Sequence, residues 1–190
     1  MAVGNARIAP FINKKFTVTS PWWSNRGGTI HRGLDISTGA NDPVYSMLNG
    51  TVFKLYHNDA SMGNAIIIKA DDNTATLYMH LKSFSVSVGD RVSVGTQVGI
   101  EGTTGESTGI HLHVEMQVMK NNRWTWSYNK SDYLDPTQFM GIQNVKNSQW
   151  IYNGTPGPGP GPGPGPSPGP VTLKRGRFPW VLYARRLRKM

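Results

Sequence analysis

The sequence contains no cysteine, so no disulfide braces it, and any metal it binds must be held by His, Asp or Glu. It has no run approaching the roughly 18 apolar residues that cross a bilayer, and its first residues lack the apolar core of a secretory signal. Helical periodicity is missing over any useful length. Turn formers are plentiful instead: 22 Gly and 13 Pro, many of them punctuating short apolar segments. This pattern predicts an all-β, antiparallel, sandwich-like domain, and 190 residues allow one such domain plus appendages.

Acidic residues are absent from the last twenty positions. All 11 lie before residue 171, where 13 of the 20 basic residues also lie, so residues 1–170 carry a net charge of only +2. The other seven basic residues crowd into Val171–Met190. The chain therefore divides into a near-neutral domain over 1–153 (core about 19–140), a Pro/Gly linker over 154–170 and a cationic tail over 171–190. The linker alternates Pro and Gly with a period of two, which excludes collagen, and it spans at most about 45 Å at roughly 3.1 Å per residue. In the tail, Trp180, Tyr183, Ala184 and Leu187 fall on one helix face beside arginines, which suits an anionic membrane, lipopolysaccharide or teichoic acid. The plainer reading is an unstructured basic segment with nonspecific affinity. No nucleic-acid module is present, so no specific nucleic-acid partner is expected.

The segment that organises the rest is Gly105–Glu115. From Ile110 to Met116 apolar and polar residues alternate, the period of a half-buried strand. Ile110, Leu112, Val114 and Met116 are expected to face a core, and His111, His113 and Glu115 the other side. Upstream, Trp22-Trp23-Ser24-Asn25-Arg26-Gly27-Gly28 reads as a loop leading to His31-Arg32-Gly33-Leu34-Asp35, a turn running into a strand. Asn49-Gly50 carries the strongest two-residue hairpin signal. Strands are predicted over Thr51–Tyr56, Ala65–Lys69 and Thr74–Leu81, with His57 in a solvated loop. Trp124, Trp126 and Tyr128 alternate as a final strand. The tryptophans at 22, 23, 124 and 126 and Tyr128 suit either a peptide groove or packing at the ends of the sandwich.

Four of the five histidines, His31, His80, His111 and His113, fall with Asp35 on strand ends or Gly-rich turns. A catalytic zinc takes three protein ligands and keeps one position open for water. One carboxylate and four imidazoles supply three ligands and two spare groups to move protons and steady an oxyanion.

Here the sequence resembles a known family. From about Thr19 to Met140 it is similar to the LytM/lysostaphin-type zinc endopeptidases, which cut peptides of the bacterial cell wall. Three blocks carry the likeness in the family's order. They are His31-Arg32-Gly33-Leu34-Asp35, then Tyr78-Met79-His80-Leu81 with Val88-Gly89-Asp90-Arg91-Val92, then Gly102–Gly105 with Ser107–Glu115. The resemblance implies Zn2+ bound by His31, Asp35 and His113, with His80 and His111 as a flanking pair. One of the pair serves as general base and both steady the tetrahedral intermediate; which takes the proton is left open. Glu115 is expected to orient the strand or a ligand. Relatives often have a Phe-Gly-x-Arg-like stretch where this chain has Trp22-Trp23-Ser24-Asn25-Arg26, and no Tyr stands shortly upstream of His31.

The activity implied is hydrolysis of stem or cross-bridge peptide bonds in peptidoglycan, by a monomer acting at the bacterial cell wall. Without a secretory signal, the expected route is a phage lysin, a virion-borne enzyme or unconventional export. A catalytically silent wall-binding module of the same fold would lack a ligand or a flanking His, and none is missing. A biotinyl/lipoyl carrier domain, suggested by Val88–Gly99, would need a Lys on an exposed hairpin, and no such Lys follows.

Overall fold

The computed structural model describes residues 3–5, 8–157, 159 and 161. The basic segment 171–190 and most of the Pro/Gly run lie outside the described residues. The chain begins with β1 (Val3–Asn5) and β2 (Lys15–Ser20), makes a short hairpin of β3 (Ser24–Arg26) and β4 (Thr29–His31), and enters β5 (Leu34–Ser37). A brief β6 (Pro43–Tyr45) precedes three longer strands, β7 (Gly50–Asp59), β8 (Gly63–Lys69) and β9 (Thr74–Leu81). Short strands β10 (Ser83–Phe84), β11 (Arg91–Val92) and β12 (Gln97–Ile100) lead to β13 (Leu112–Val118). After β14 (Tyr133–Leu134) comes α1 (Pro136–Met140), the one α-helix among the described residues, and then β15 (Gln149–Ile151).

Ten strands form one sheet, nine of them in the order β1-β15-β2-β5-β13-β9-β8-β7-β11 and the tenth, β14, pairing to β13. All its pairs are antiparallel except β1–β15. A smaller sheet, β10-β12-β6, brings Val44 and Val98 into the main core with Leu34, Ile36, Ile66, Ile68, Tyr78, Leu112, Val114 and Met116. The opposite face of β8 and β9 carries a second cluster of Met62, Ala65, Ile67, Leu77, Met79, Met119 and Trp124. The all-β, layered antiparallel fold is as expected from the many short strands.

Several local expectations change. Asn49-Gly50 does not turn β6 back onto β7: β6 pairs with β12 instead. The Asn49 carboxamide oxygen accepts from the Val94 amide at 2.8 Å, and the Gly50 backbone packs so closely on Lys69 that a Cβ would lie 2.4 Å from its carbonyl. β7 runs on through His57 to Asp59, where a loop is expected; His57 is exposed on that strand, its ring edge-on to Phe84. Residues 124–128 form no strand, because the Gln117 side chain takes a strand partner's place. Its Nε2 donates to the Thr125 carbonyl at 2.8 Å, and its Oε1 accepts from the Thr125 amide at 3.0 Å.

The start of the Pro/Gly run lies against the domain. The Gly157 amide donates to the Gly95 carbonyl at 2.7 Å, and Gly161 and Arg91 exchange backbone hydrogen bonds of 2.8 and 3.1 Å. The hydrogen-bonding residues are glycines, and prolines, which have no N–H, occupy the alternate positions, an arrangement suited to an edge strand.

Candidate metal centre and its cleft

Register in the middle of the sheet brings the key residues together. On β5 and β13, Asp35 and His113 are directly paired across 78 residues of sequence. His31 ends β4, and a tight link through Arg32 and Gly33 returns the chain to β5. Gly33 is needed because the His113 ring lies on its backbone: a Cβ there would sit 2.2 Å from His113 Nε2. Leu112, Val114 and Met116 are fully buried in the main core, so His113 and Glu115 project from the opposite face. Ile110 departs from the expectation: it precedes β13, is half-buried and lines the cleft.

His80 reaches this face by a different route. Strict alternation would send it into the main core with Tyr78. Instead β9 carries a bulge, with Asn64 opposite Leu81 but Ile66 opposite Tyr78, and His80 adopts a left-handed φ of 65°. The extra residue puts Met79 and His80 together on the cleft side and returns Leu81 to the core. A β-carbon at positive φ is unfavourable, and such strain is commonly found at functional sites.

His31 Nε2, Asp35 Oδ1 and His113 Nδ1 form a triangle with sides of 3.1, 2.8 and 3.0 Å. All three side chains are buried. His80 and His111 stand beside them, ring centroids 4.7 Å apart, with His111 Nε2 3.8 Å from Asp35 Oδ1. In every one of the four rings the nitrogen turned away from the centre meets an acceptor. His31 Nδ1 faces the Pro21 carbonyl at 3.1 Å, His80 Nδ1 that of Thr104 at 2.9 Å, and His111 Nδ1 that of Gly109 at 2.8 Å. His113 Nε2 faces Glu115 Oε1 at 3.2 Å. Each outer nitrogen therefore carries a proton, and the inner nitrogens of His31 and His113 are turned to the same small volume, where each offers a lone pair once its ring is neutral.

Burial dominates the electrostatics, opposed by the local pairs. It lowers the pKa of His31, and that of His80 to about 4, so His80 is neutral at pH 7. For His113, burial is outweighed by hydrogen bonds to Asp35 and Glu115, which raise its pKa to about 9. Burial also works against the Asp35 carboxylate, but hydrogen bonds from His113 and His31 hold it well below the usual carboxylate range.

Sequence reading missed several of these supports. Arg26 pairs with Asp35 Oδ2 and donates to Ser20 Oγ at 3.1 Å; its signal was its position where relatives carry an Arg. The Pro21, Thr104 and Gly109 carbonyls have no signal at all, since every residue has one. The aromatic residues divide: Trp22 and Trp124 are buried and Trp23 packs on Trp22 and Tyr133, whereas Trp126 and Tyr128 are exposed. The last two help line a cleft of about 1140 Å³ that contains all five polar site residues.

Two imidazole nitrogens and a carboxylate oxygen suit a divalent ion. Tetrahedral zinc with bonds of 2.0–2.1 Å sets its ligand atoms about 3.3 Å apart, a few tenths of an ångström wider than this triangle. Three such acceptors facing one another repel unless a proton or a metal cation sits among them. The donor set fits.

The model of peptidase family M23 matches residues 29–126, just over half of the chain. The glycyl-glycine endopeptidase ALE-1 of Staphylococcus capitis is 33% identical over 114 residues, 60% of this chain and 30% of that protein. The catalytic domain of the antimicrobial peptidase lysostaphin from Staphylococcus simulans superposes with a TM-score of 0.52 at 31% identity, covering 67% of this chain and 91% of that one. A zinc-containing peptidase from Vibrio cholerae gives a TM-score of 0.55 at 27% identity, covering 70% and 39%. The chain spans less than a third of the length of the first curated relatives it matches. With the family model matched over half of its length and a His/Asp/His triad at the foot of its cleft, the chain belongs to peptidase family M23, the lysostaphin- and LytM-type metallopeptidases.

Proposed function

We propose that the protein is a zinc-dependent endopeptidase that hydrolyses peptide bonds of bacterial peptidoglycan, with His31, Asp35 and His113 as metal ligands and His80 and His111 as catalytic residues. The observation that carries this reading is the gathering of four imidazoles around Asp35, each with its outer nitrogen hydrogen-bonded. Zinc, when bound, supplies Lewis-acid polarisation of the scissile carbonyl and acidifies the attacking water. Glu115 and the Pro21 carbonyl hold the outer nitrogens of His113 and His31, so that Nδ1 and Nε2 would be the ligating atoms, and Arg26 occupies the second oxygen of Asp35. His80 and His111 present Nε2 to the same volume. One of them takes the proton of the water and returns it to the leaving amine. The ring that has gained a proton becomes a donor to the developing oxyanion.

Incubating zinc-loaded protein with peptidoglycan from several bacteria, with mass analysis of the released peptides, tests the reading and identifies the bond cut. Asp35→Ala and His113→Ala are expected to lose zinc retention and lysis together. Normal lysis by either variant would refute the ligand assignment.

We further propose that the domain acts at the bacterial cell wall as a monomer, and that residues 171–190 attach it to the anionic envelope through their seven basic residues. Each Lys or Arg near an anionic surface is worth about 1 kcal/mol. The full chain should therefore partition onto phosphatidylglycerol vesicles at least about tenfold better than a chain ending at Gly161. Equal partitioning would end the proposal.

A further inference from the structure

Arg32, between His31 and Gly33, serves none of the roles above. Its guanidinium carbon lies 4.9 Å from the centroid of the Tyr128 ring and 5.6 Å from that of Trp126, and its Nε is 3.5 Å from Glu115 Oε1. Glu115 is buried, so the Nε edge of the guanidinium balances a carboxylate held away from water. The terminal nitrogens, Nη1 and Nη2, have no hydrogen-bond partner among the described residues. Arg32 is half-buried in the cleft wall, and both rings flanking it are exposed there, Trp126 by 46% and Tyr128 by 65%. A guanidinium stacked on aromatic faces is held in plane with little rotational freedom left, and its two terminal nitrogens match the two oxygens of a carboxylate.

We propose that Arg32, stacked on Trp126 and Tyr128, is a carboxylate subsite that selects peptides with a free carboxylate near the scissile bond over bridges made of glycine alone. This rests on the peptidase reading and names the substrate class of the same cleft. The carboxylate accepts from Nη1 and Nη2 while Glu115 keeps Nε occupied, so binding leaves the hydrogen bond from His113 to Glu115 in place. Tyr128 and Trp126 cover the guanidinium, removing water that would otherwise compete for it. Without this ligand the two terminal nitrogens are unused donors in the cleft, while the charges near the metal site, Asp35 with Arg26 and Glu115 with Arg32, are already paired.

The test compares two probes, acetyl-L-lysyl-D-alanyl-D-alanine and its C-terminal carboxamide, on the full zinc-loaded chain. Binding is followed by tryptophan fluorescence or calorimetry, cleavage is followed separately, and zinc content is measured for every variant. Wild type is expected to bind the free acid about ten- to a hundredfold more tightly than the amide, the size of a lost charge-assisted hydrogen bond. In Arg32→Gln that preference falls to near unity, the free acid losing more affinity than the amide. Arg32→Lys keeps the charge without the fork and is expected to keep only part of the preference. A carboxylate drawn to the metal alone would leave the preference intact in Arg32→Gln, and this result overturns the proposal. So does equal weakening of acid and amide, which would mean that Arg32 serves only to balance Glu115. An Arg32-dependent acid preference without cleavage of any peptidoglycan supports the subsite while refuting the peptidase reading.

Discussion

A Gly33→Ala variant is expected to fold but to lose its metal. The added Cβ falls 2.2 Å from His113 Nε2, 2.4 Å from Cε1 and 2.9 Å from Cδ2, so it meets the ring broadside and cannot be avoided by a small adjustment. The ring is confined by Asp35 on one side and Glu115 on the other, at 2.8 and 3.2 Å, and must give up one or both to move. A shift near 1 Å at a reacting centre costs about a hundredfold in rate, and overpacking of this kind costs about 1–3 kcal/mol of stability. The expected result is a zinc affinity and a peptidase rate each lower by at least about a hundredfold, with a cooperative thermal transition retained at lower temperature. Zinc titration, a lysis assay and a melting curve check this together. Unimpaired zinc binding would show that His113 does not rest on the Gly33 backbone.

His80→Ala separates the two parts of the centre. His80 stands outside the triangle, with its Nδ1 committed to the Thr104 carbonyl at 2.9 Å, so its loss leaves His31, Asp35 and His113 in place. Zinc content is expected to stay near one per chain while kcat falls about 10²- to 10⁴-fold, the usual contribution of a general acid–base group. His111→Ala is expected to behave likewise, and the larger loss of the two identifies the base. Full activity in His80→Ala would remove its role. The bulge adds a second readout. Because His80 has a φ of 65°, alanine there keeps the cost of a β-carbon in left-handed backbone, and glycine does not. His80→Gly is expected to be about 1 kcal/mol more stable than His80→Ala, with kcat lowered alike in both. Equal stability would mean that the bulge relaxes once the imidazole is gone.

Much of the fold was legible because it depends on local repetition. β9 spans Thr74–Leu81 as expected, and β8 contains the apolar segment Ala65–Lys69. The misreadings came where pairing is settled elsewhere. Asn49-Gly50 has the chemistry of a hairpin turn, but β6 pairs with β12, which brings Val44 and Val98 into the main core. Trp124, Trp126 and Tyr128 alternate like a strand, yet the amide of Gln117 already satisfies the backbone that a neighbouring strand would have paired.

For the centre itself, the sequence alone determined the candidate groups: one aspartate and four histidines in Gly-rich surroundings without a cysteine, and the sharing of a sheet face by His113 and Glu115. Side-chain type and period-two alternation are properties of neighbours along the chain, so they can be read without the fold. Only the tertiary structure decided that Asp35 lies opposite His113, that a bulge turns His80 out of the core, and that every imidazole has its outer nitrogen hydrogen-bonded. Register and bulges follow from packing between distant strands, and three of the four tautomers are set by backbone carbonyls, which are the same in every residue and leave no mark in a sequence.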